Sequence, residues 1–374
     1  MPDNQVLINK RETRLRWRSD VTGRKTRATT LLRGAPRSER SALRTRRWGI
    51  VLAGGDGTRL RSLTRFICGD DRPKQFCPLL GESTLLEQAR QRAQRSIPPE
   101  QTLFAVTREH ENYYLPDLAG TVYHRVVQPR NAGTAPPILY SLLQIAQASA
   151  DAYVAILPCD HYYSDEDAFT LALESAFEIA ATRTSSVVLL GAEPNAPEVE
   201  YGWIEVGAAV HETLFQVQAF HEKPPLPTAE HLLESGALWN TFVMVGHINA
   251  FLRMVRSAVP DLLKLLQANM EYSDFKGEIR IPDSLYDLLS PSDFSRHVLA
   301  PSADELLALR LGDMEWHDLG HPQRVVSTLL ARNTQLPAWV ENWQANNNAA
   351  TAVAPPEIRV QLRGAYATPN NSAC

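Results

Sequence analysis

Residues 49–76 read GIVLAGGDGTRLRSLTRFICGDDRPKQF. A short apolar strand, Gly49 to Ala53, runs into Gly54-Gly55-Asp56-Gly57-Thr58-Arg59-Leu60, and Lys74 follows 15 residues past Arg59. Glycines after a strand let the backbone approach a ligand closely, because no Cβ intervenes. Exposed N–H groups at a turn or helix start bind phosphate oxygens. Arg59 and Lys74 add fixed positive charge. The stretch therefore predicts a triphosphate cradle at the end of a strand.

Two other phosphate loops do not fit. A P-loop needs Gly-Lys-Ser/Thr, which the chain lacks. A dinucleotide fingerprint needs a third glycine where Leu60 stands. The pattern L-A-G-G-x-G-T-R-L followed by P-K instead resembles the sugar-nucleotidyltransferase (nucleoside-diphosphate-sugar pyrophosphorylase) family. Pro73-Lys74-Gln75-Phe76 looks most like its mannose-1-phosphate guanylyltransferase branch. The resemblance covers residues 48–330 and is most specific at this first motif.

The rest of the chain bounds this reading. Hydrophobic content of 44% and charged content of 21% fit a soluble globular protein. The longest apolar runs, such as Val187–Leu190, are far short of the ~20 residues a membrane span needs. Four cysteines without a C-x-x-C pair read as free thiols in a reducing cytoplasm. Residues 1–47 hold 14 Lys/Arg against 4 Asp/Glu, leaving a net −14 for the remainder. The first segment has few large apolar residues and reads as a disordered extension. The acidic remainder argues against nucleic-acid binding. Residues 48–335 read as one nucleotidyltransferase domain and 336–374 as a polar tail.

Between the tails, strand-like runs alternate with helical patterns. Thr84-x-x-Glu87 is a capping box. Strands are expected at 103–107, 122–128, 153–157 and 186–191, with helices at 134–148 and 167–182. Later strands at 203–206, 215–221 and 241–245 suggest a mixed edge over the site. The alternation predicts an α/β fold, helices packed on both faces of a mostly parallel mixed sheet. With the resemblance, this becomes the three-layer Rossmann-like nucleotide-diphospho-sugar transferase fold. Ligands in such sheets sit at the carboxyl ends of strands, where the glycine loop, Gln128 and Asp160 all fall.

The resemblance also assigns roles. Leu157-Pro158-Cys159-Asp160-His161 ends a strand, where a carboxylate can hold Mg²⁺, an ion that prefers oxygen ligands. Asp160 matches the first metal aspartate of the family. Trp316-His317-Asp318-Leu319-Gly320 is similar to W-x-D-x-G and implies Asp318 as the second. Asp165-x-Asp167 reads instead as the acidic first turn of a helix. Phe220-His221-Glu222-Lys223-Pro224 matches E-K-P, implying Lys223 on the sugar phosphate and Glu222 either holding the sugar or orienting the lysine. Tyr201-Gly202-Trp203-Ile204-Glu205 resembles Y-G-x-I, with Gly202 meeting the sugar and Glu205 accepting hydroxyl hydrogen bonds. Trp239-Asn240 starts W-N-S-G, implying Asn240 on sugar hydroxyls, but Thr241-Phe242 replace Ser-Gly. Gln128-Pro129-Arg130-Asn131-Ala132-Gly133-Thr134 resembles the base-reading loop, with Gln128, Gly133 and Thr134 near the base. Ala132 stands where some relatives carry Arg, so guanine is a preference. Asp283 or Asp287 is a further sugar contact, the choice left open.

The implied reaction is nucleotidyl transfer from a nucleoside triphosphate, with GTP preferred, to a sugar 1-phosphate, with mannose 1-phosphate preferred. Arg59, Lys74 and Mg²⁺ would neutralise developing charge. Thymidylyl-, uridylyl- or adenylyltransfer to glucose 1-phosphate, and a sensing paralogue that binds without catalysis, remain the alternatives. No membrane or nucleic-acid partner is expected, and a homodimer is left open.

Overall fold

The computed structural model describes residues 37–270, 277–332 and 335–353. Ten strands form one sheet: β1 (Arg47–Leu52), β2 (Thr102–Thr107), β3 (His124–Gln128), β4 (Tyr153–Pro158), β6 (Val187–Ala192), β7 (Gly202–His211), β8 (Leu214–Glu222), β9 (Leu238–His247), β10 (Glu278–Arg280) and β11 (Leu306–Arg310). Their order is β10-β3-β2-β1-β4-β9-β6-β11-β8-β7. Only β8 and β9 among them run against the rest. Two further short strands, β5 (Tyr162–Tyr163) and β12 (Trp316–His317), pair with each other.

The central strands are apolar throughout because both faces are covered. Side chains alternate across the sheet. Val51, Ala155 and Leu157 pack on one side with Phe169, Leu173 and Phe177 of helix Glu166–Thr182. Ile50, Val154 and Ile156 pack on the other with Ile138, Leu142 and Ile145 of helix Ala135–Ala148. Helix Glu166–Thr182 is capped by Asp165, whose Oδ1 accepts from the N–H groups of Asp167 and Ala168 at 2.9 Å each. Thr84 caps its helix in the same way, accepting from Glu87 N at 3.0 Å. A third, smaller cluster gathers Leu60, Leu63, Cys77, Leu79, Leu319, Val325 and Val340. It ties the glycine-loop helix, the Pro73–Phe76 turn and the Asp318 segment into one unit.

The structure differs from the sequence expectations in three places. Strand 241–245, expected at the sheet edge, is the interior strand β9, held between β4 and β6. Its run of buried apolar residues suits that position; β7 and β8 form the edge. The boundary expected at 47/48 falls inside β1, and helix Arg37–Arg44 precedes it. Arg47 is buried because both Glu174 carboxylate oxygens accept from its Nη1 at 2.8 Å and its guanidinium lies over the Phe177 ring. The boundary expected at 335/336 is followed closely by helix Trp339–Val353, whose Val340 is fully buried in the third cluster. Among the described residues no helix is long and apolar enough to cross a membrane.

Candidate functional site

The carboxyl ends of β1, β3 and β4 open into a cavity of about 410 Å³. Gly54, Gly55, Arg59, Gln128, Gly133, Thr134, Asp160, Gly202, Glu222, Lys223, Asn240 and Asp318 line it. Residues from positions 54 to 318 thus converge on one cleft.

The glycine loop is built by close approaches. Gly57 has φ 56°, and a Cβ there would lie 2.9 Å from Lys74 N. Only glycine fits such a contact at positive φ. A Cβ on Gly54 would meet Gln128 Nε2 at 2.4 Å. Buried Gln75 fixes the loop from beneath, its Nε2 donating to the carbonyls of Ala53 (3.1 Å) and Gly55 (2.6 Å). Among the described residues, no acceptor faces the N–H groups of Gly55, Asp56 or Gly57. Backbone N–H groups left free in a glycine-rich turn suit an anion. Thr58 and Arg59 begin the short turn Thr58–Leu60 that buried Leu60 anchors. Arg59, half exposed, donates from Nη1 to Glu200 Oε2 (3.2 Å) and holds Nη2 3.8 Å from Asp318 Oδ2. Thr58 and Gly57 do not line the cavity.

Asp160 and Asp318, 158 residues apart, meet because β5 and β12 pair. Trp316 lies opposite Tyr163 and His317 opposite Tyr162. Lys74 is buried and does not line the cavity. Its Nζ contacts Asp160 Oδ2 at 3.1 Å and donates to the backbone oxygens of Asp318 (2.5 Å) and Leu319 (3.3 Å). Asp318 Oδ1 accepts from Arg324, from Tyr201 Oη (3.2 Å) and from Gly320 N (2.8 Å). Burial opposes ionisation of both carboxyls. For Asp160 that cost is outweighed by Lys74 and His161, and for Asp318 by Arg324 and Lys74. Both are therefore held below the usual carboxylate range. Burial pushes His161 down, leaving it neutral near pH 7. Its Nδ1 lies 3.2 Å from the Thr241 carbonyl and its ring meets Trp316 edge-on, so it braces the loop.

These two carboxylates fit a divalent cation. Among the described residues, Asp160 Oδ1 has only His161 Nε2 at 3.7 Å, and Asp318 Oδ2 only Arg59 at 3.8 Å, both beyond hydrogen-bond reach. Each ionised group thus keeps one oxygen available. Mg²⁺ commonly takes one or two carboxylates plus phosphate oxygens. A Cβ on Gly320 would lie 2.6 Å from Asp318 Oδ2, so the glycine keeps that oxygen clear.

At the far end, Lys223 reaches the cleft with Nζ 3.8 Å from Glu222 Oε1. Burial, with Asp293 nearby, raises the Glu222 carboxyl above its ordinary value. Gly202 is needed there, since a Cβ would meet Glu222 Oε2 at 3.0 Å and the Phe220 ring at 3.1 Å. Asn240 Oδ1 accepts from Phe242 N at 3.1 Å. Phe242 has φ 61°. The position keeps the left-handed backbone that glycine takes freely, now borne by a phenylalanine whose side chain lines the cleft. The non-glycine residues with positive φ among those described are Lys223, Phe242 and Leu319, all at this site. Such strain gathers at ligand sites.

Other expected residues either lie outside the cavity or are already engaged by the protein's own groups. Glu205 does not line the cavity and pairs with His221 Nε2 at 3.0 Å. It sits three residues from Gly202 on β7, so its side chain leaves by the opposite face. Gly133 lines the cavity, but its N–H is already taken by Asn131 Oδ1 at 2.9 Å. A Cβ on Gly133 (φ 87°) would lie 2.3 Å from Ser292 O, so it is the seam between two loops. Thr134 precedes helix Ala135–Ala148 at its N-cap, but its Oγ1 accepts from Phe294 N at 2.8 Å across that seam rather than from the helix. Gln128 is buried, accepting from Tyr286 Oη and donating to Thr107 Oγ1, both at 2.9 Å. Asp283 and Asp287 form exposed ion pairs with Arg108 and Arg130, and neither lines the cavity. Sequence reasoning missed Glu200, Asp293, Ser295 and Arg324. Arg324 bridges Asp318 and Glu198 and stacks on Tyr201. No motif of the sequence analysis includes these residues, and Arg324 and Glu200 each pair across more than 100 residues, with Glu198 and Arg59.

Comparison with known proteins places this cleft. The chain is 30% identical over 275 residues to the xanthan biosynthesis protein XanB of Xanthomonas campestris pv. campestris (strain B100), covering 72% of this chain and 57% of that protein. It is 28% identical over 280 residues to a mannose-1-phosphate guanylyltransferase of Klebsiella pneumoniae, with the same coverages. The chain thus spans 57% of the length of these curated relatives. The crystal structure of a mannose-1-phosphate geranyltransferase from Thermus thermophilus superposes with a TM-score of 0.66 at 29% identity, over 75% of this chain and 79% of that one. A mannose-6-phosphate isomerase from Helicobacter pylori, at 21% identity and a TM-score of 0.59, shares the fold over 73% of this chain and 99% of its own. The nucleotidyl transferase family model matches residues 48–333, which span the whole cleft, and the chain belongs to that family.

Proposed function

We propose that the protein joins GTP to mannose 1-phosphate, giving GDP-mannose and pyrophosphate. One observation carries the reading. A single cleft is lined by Gly54, Gly55 and Arg59, by two ionised carboxylates, Asp160 and Asp318, and by Lys223, Glu222 and Asn240. That set suits a triphosphate, a metal and a phosphorylated sugar. The choice of guanine and mannose is supported by relatives bearing that name.

The transfer is an in-line displacement. An oxygen of the sugar phosphate bonds to the α-phosphorus, and the bond from that phosphorus to the bridging β-phosphate oxygen breaks. The attacking group is already an anion near neutral pH, so no side chain needs to take a proton. The protein must hold two anions together and offset their repulsion. The loop N–H groups and Arg59 would hold the triphosphate, and Lys223 the sugar phosphate. Asn240 and the Glu222 carboxyl would meet sugar hydroxyls. Mg²⁺ held by Asp160 and Asp318 would supply Lewis acidity at the phosphates. Lys74 is a positioning residue: its ammonium steadies Asp160 and the Asp318 backbone without reaching the cleft. The proposed partners are thus GTP, mannose 1-phosphate and Mg²⁺.

The test is pyrophosphate release with Mg²⁺, crossing GTP, ATP, UTP and dTTP with mannose 1-phosphate and glucose 1-phosphate. Release confined to GTP with mannose 1-phosphate is expected. Faster release with another pair would overturn the assigned substrates, and none with any pair would overturn the assigned catalysis.

A further inference from the structure

Cys68 and Cys77 bracket the segment that carries Lys74. Cys68 ends helix Arg61–Cys68, and Gly69 at φ 80° turns the chain back. Cys77 follows the turn Lys74–Phe76 and donates its N–H to the Lys74 carbonyl at 3.1 Å. The two Sγ atoms lie 3.2 Å apart. Cys77 is fully buried in the third apolar cluster, whereas Cys68 is only partly buried. Cys68 thus keeps partial exposure, while the sulfur of buried Cys77 is held against its own. Cys159, also free, is buried in a different cluster.

We propose that Cys68 and Cys77 are a redox-responsive pair, which a peroxide converts to an intramolecular disulfide that slows the neighbouring cleft. The Cys68 thiolate attacks one oxygen of hydrogen peroxide, and the O–O bond breaks. Cys68 becomes a sulfenic acid, and the departing hydroxide takes the thiol proton as water. The Cys77 sulfur then displaces the sulfenic hydroxyl, which leaves with the Cys77 proton as a second water. Two thiols lose two electrons in all, and one peroxide becomes two waters. An S–S bond is ~2.05 Å long, so the sulfurs must close by roughly 1 Å. The turn holding Lys74 is bonded to Cys77 and moves with it. Lys74 Nζ stands 3.1 Å from Asp160, so the shift reaches a carboxylate of the cleft. Displacements of about 1 Å near a reacting centre can cost up to ~10²-fold in rate.

The rate effect rests on the function proposed above; the disulfide does not. The full chain is reduced, freed of reductant and treated with hydrogen peroxide. Non-reducing peptide mapping is expected to link Cys68 to Cys77, and thiol labelling under denaturing conditions to show two fewer thiols. Closing so short a loop raises the melting temperature by about 4 °C. Pyrophosphate release falls about tenfold and dithiothreitol restores it. Cys68→Ser keeps the parent's initial rate and becomes insensitive to peroxide; Cys68→Ala repeats the test should the first variant fold poorly. Absence of the linkage overturns the pair. A linkage with unchanged rate, or equal peroxide sensitivity in the Cys68 variants, overturns the control. If the reduced parent releases no pyrophosphate with any substrate pair, the function fails separately, and mapping and melting still decide the pair.

Discussion

Replacing Lys74 by methionine separates positioning from folding. Methionine keeps most of the buried stem but removes the ammonium. With an effective dielectric of about 20, the Lys74–Asp160 attraction at 3.1 Å is worth about 5 kcal/mol before desolvation is counted. Desolvating the ammonium offsets much of this, and methionine regains apolar packing. The backbone oxygens of Asp318 and Leu319 also lose a charged donor. A net stability loss of about 2–3 kcal/mol follows, or roughly 4 °C in melting temperature for a domain of this size. Turnover should fall further, by ~10–10², because Asp160 loses the group that orients it. The KM for nucleotide should change less than kcat, since Lys74 does not line the cleft. Pyrophosphate release is measured well below the variant's melting point, alongside a thermal melt. A kcat close to the parent's, with the melting point lowered as expected, would refute the assigned role.

Further predictions follow from the same geometry. Gly133→Ala places a Cβ 2.3 Å from Ser292 O at φ 87°, and should cost at least about 3 kcal/mol in urea denaturation; a cost under about 1 kcal/mol would mean the seam is not rigid. Arg324→Ala leaves the buried side of Asp318 unpaired and should cost about 3 kcal/mol, with Arg324→Lys recovering part; equal stabilities for both would refute the bridge. Glu222 has a raised carboxyl pKa in the fold, so it favours folding least once ionised. Glu222→Gln should raise the melting temperature by about 1–3 °C at pH ~7.5, and the gain should vanish as pH falls below the ordinary carboxylate value, where both states are protonated. A gain that persists under those acid conditions would contradict the sign.

Much of the fold was legible because its signals are local. The alternation of strands and helices, the Asp165 and Thr84 caps, and the glycines at 54 and 57 follow from torsions and hydrogen bonds between near neighbours. The motif residues Arg59, Asp160, Lys223, Asn240 and Asp318 line one cavity. Glu205 was misplaced because a motif written as a string ignores the two-residue period of the strand beneath it. Strand β9 was misplaced because strand order is not a property of any one segment.

The sequence by itself determined the α/β class and the glycine loop at the end of β1. Tertiary structure alone decided that Lys74 meets Asp160 and the Asp318 backbone, that Gly133 is a seam, that Arg324 meets Asp318 and that Cys68 meets Cys77. Each of these depends on where two pieces of chain dock. Docking is set by shared burial and pairing across the fold, which no single stretch of sequence contains.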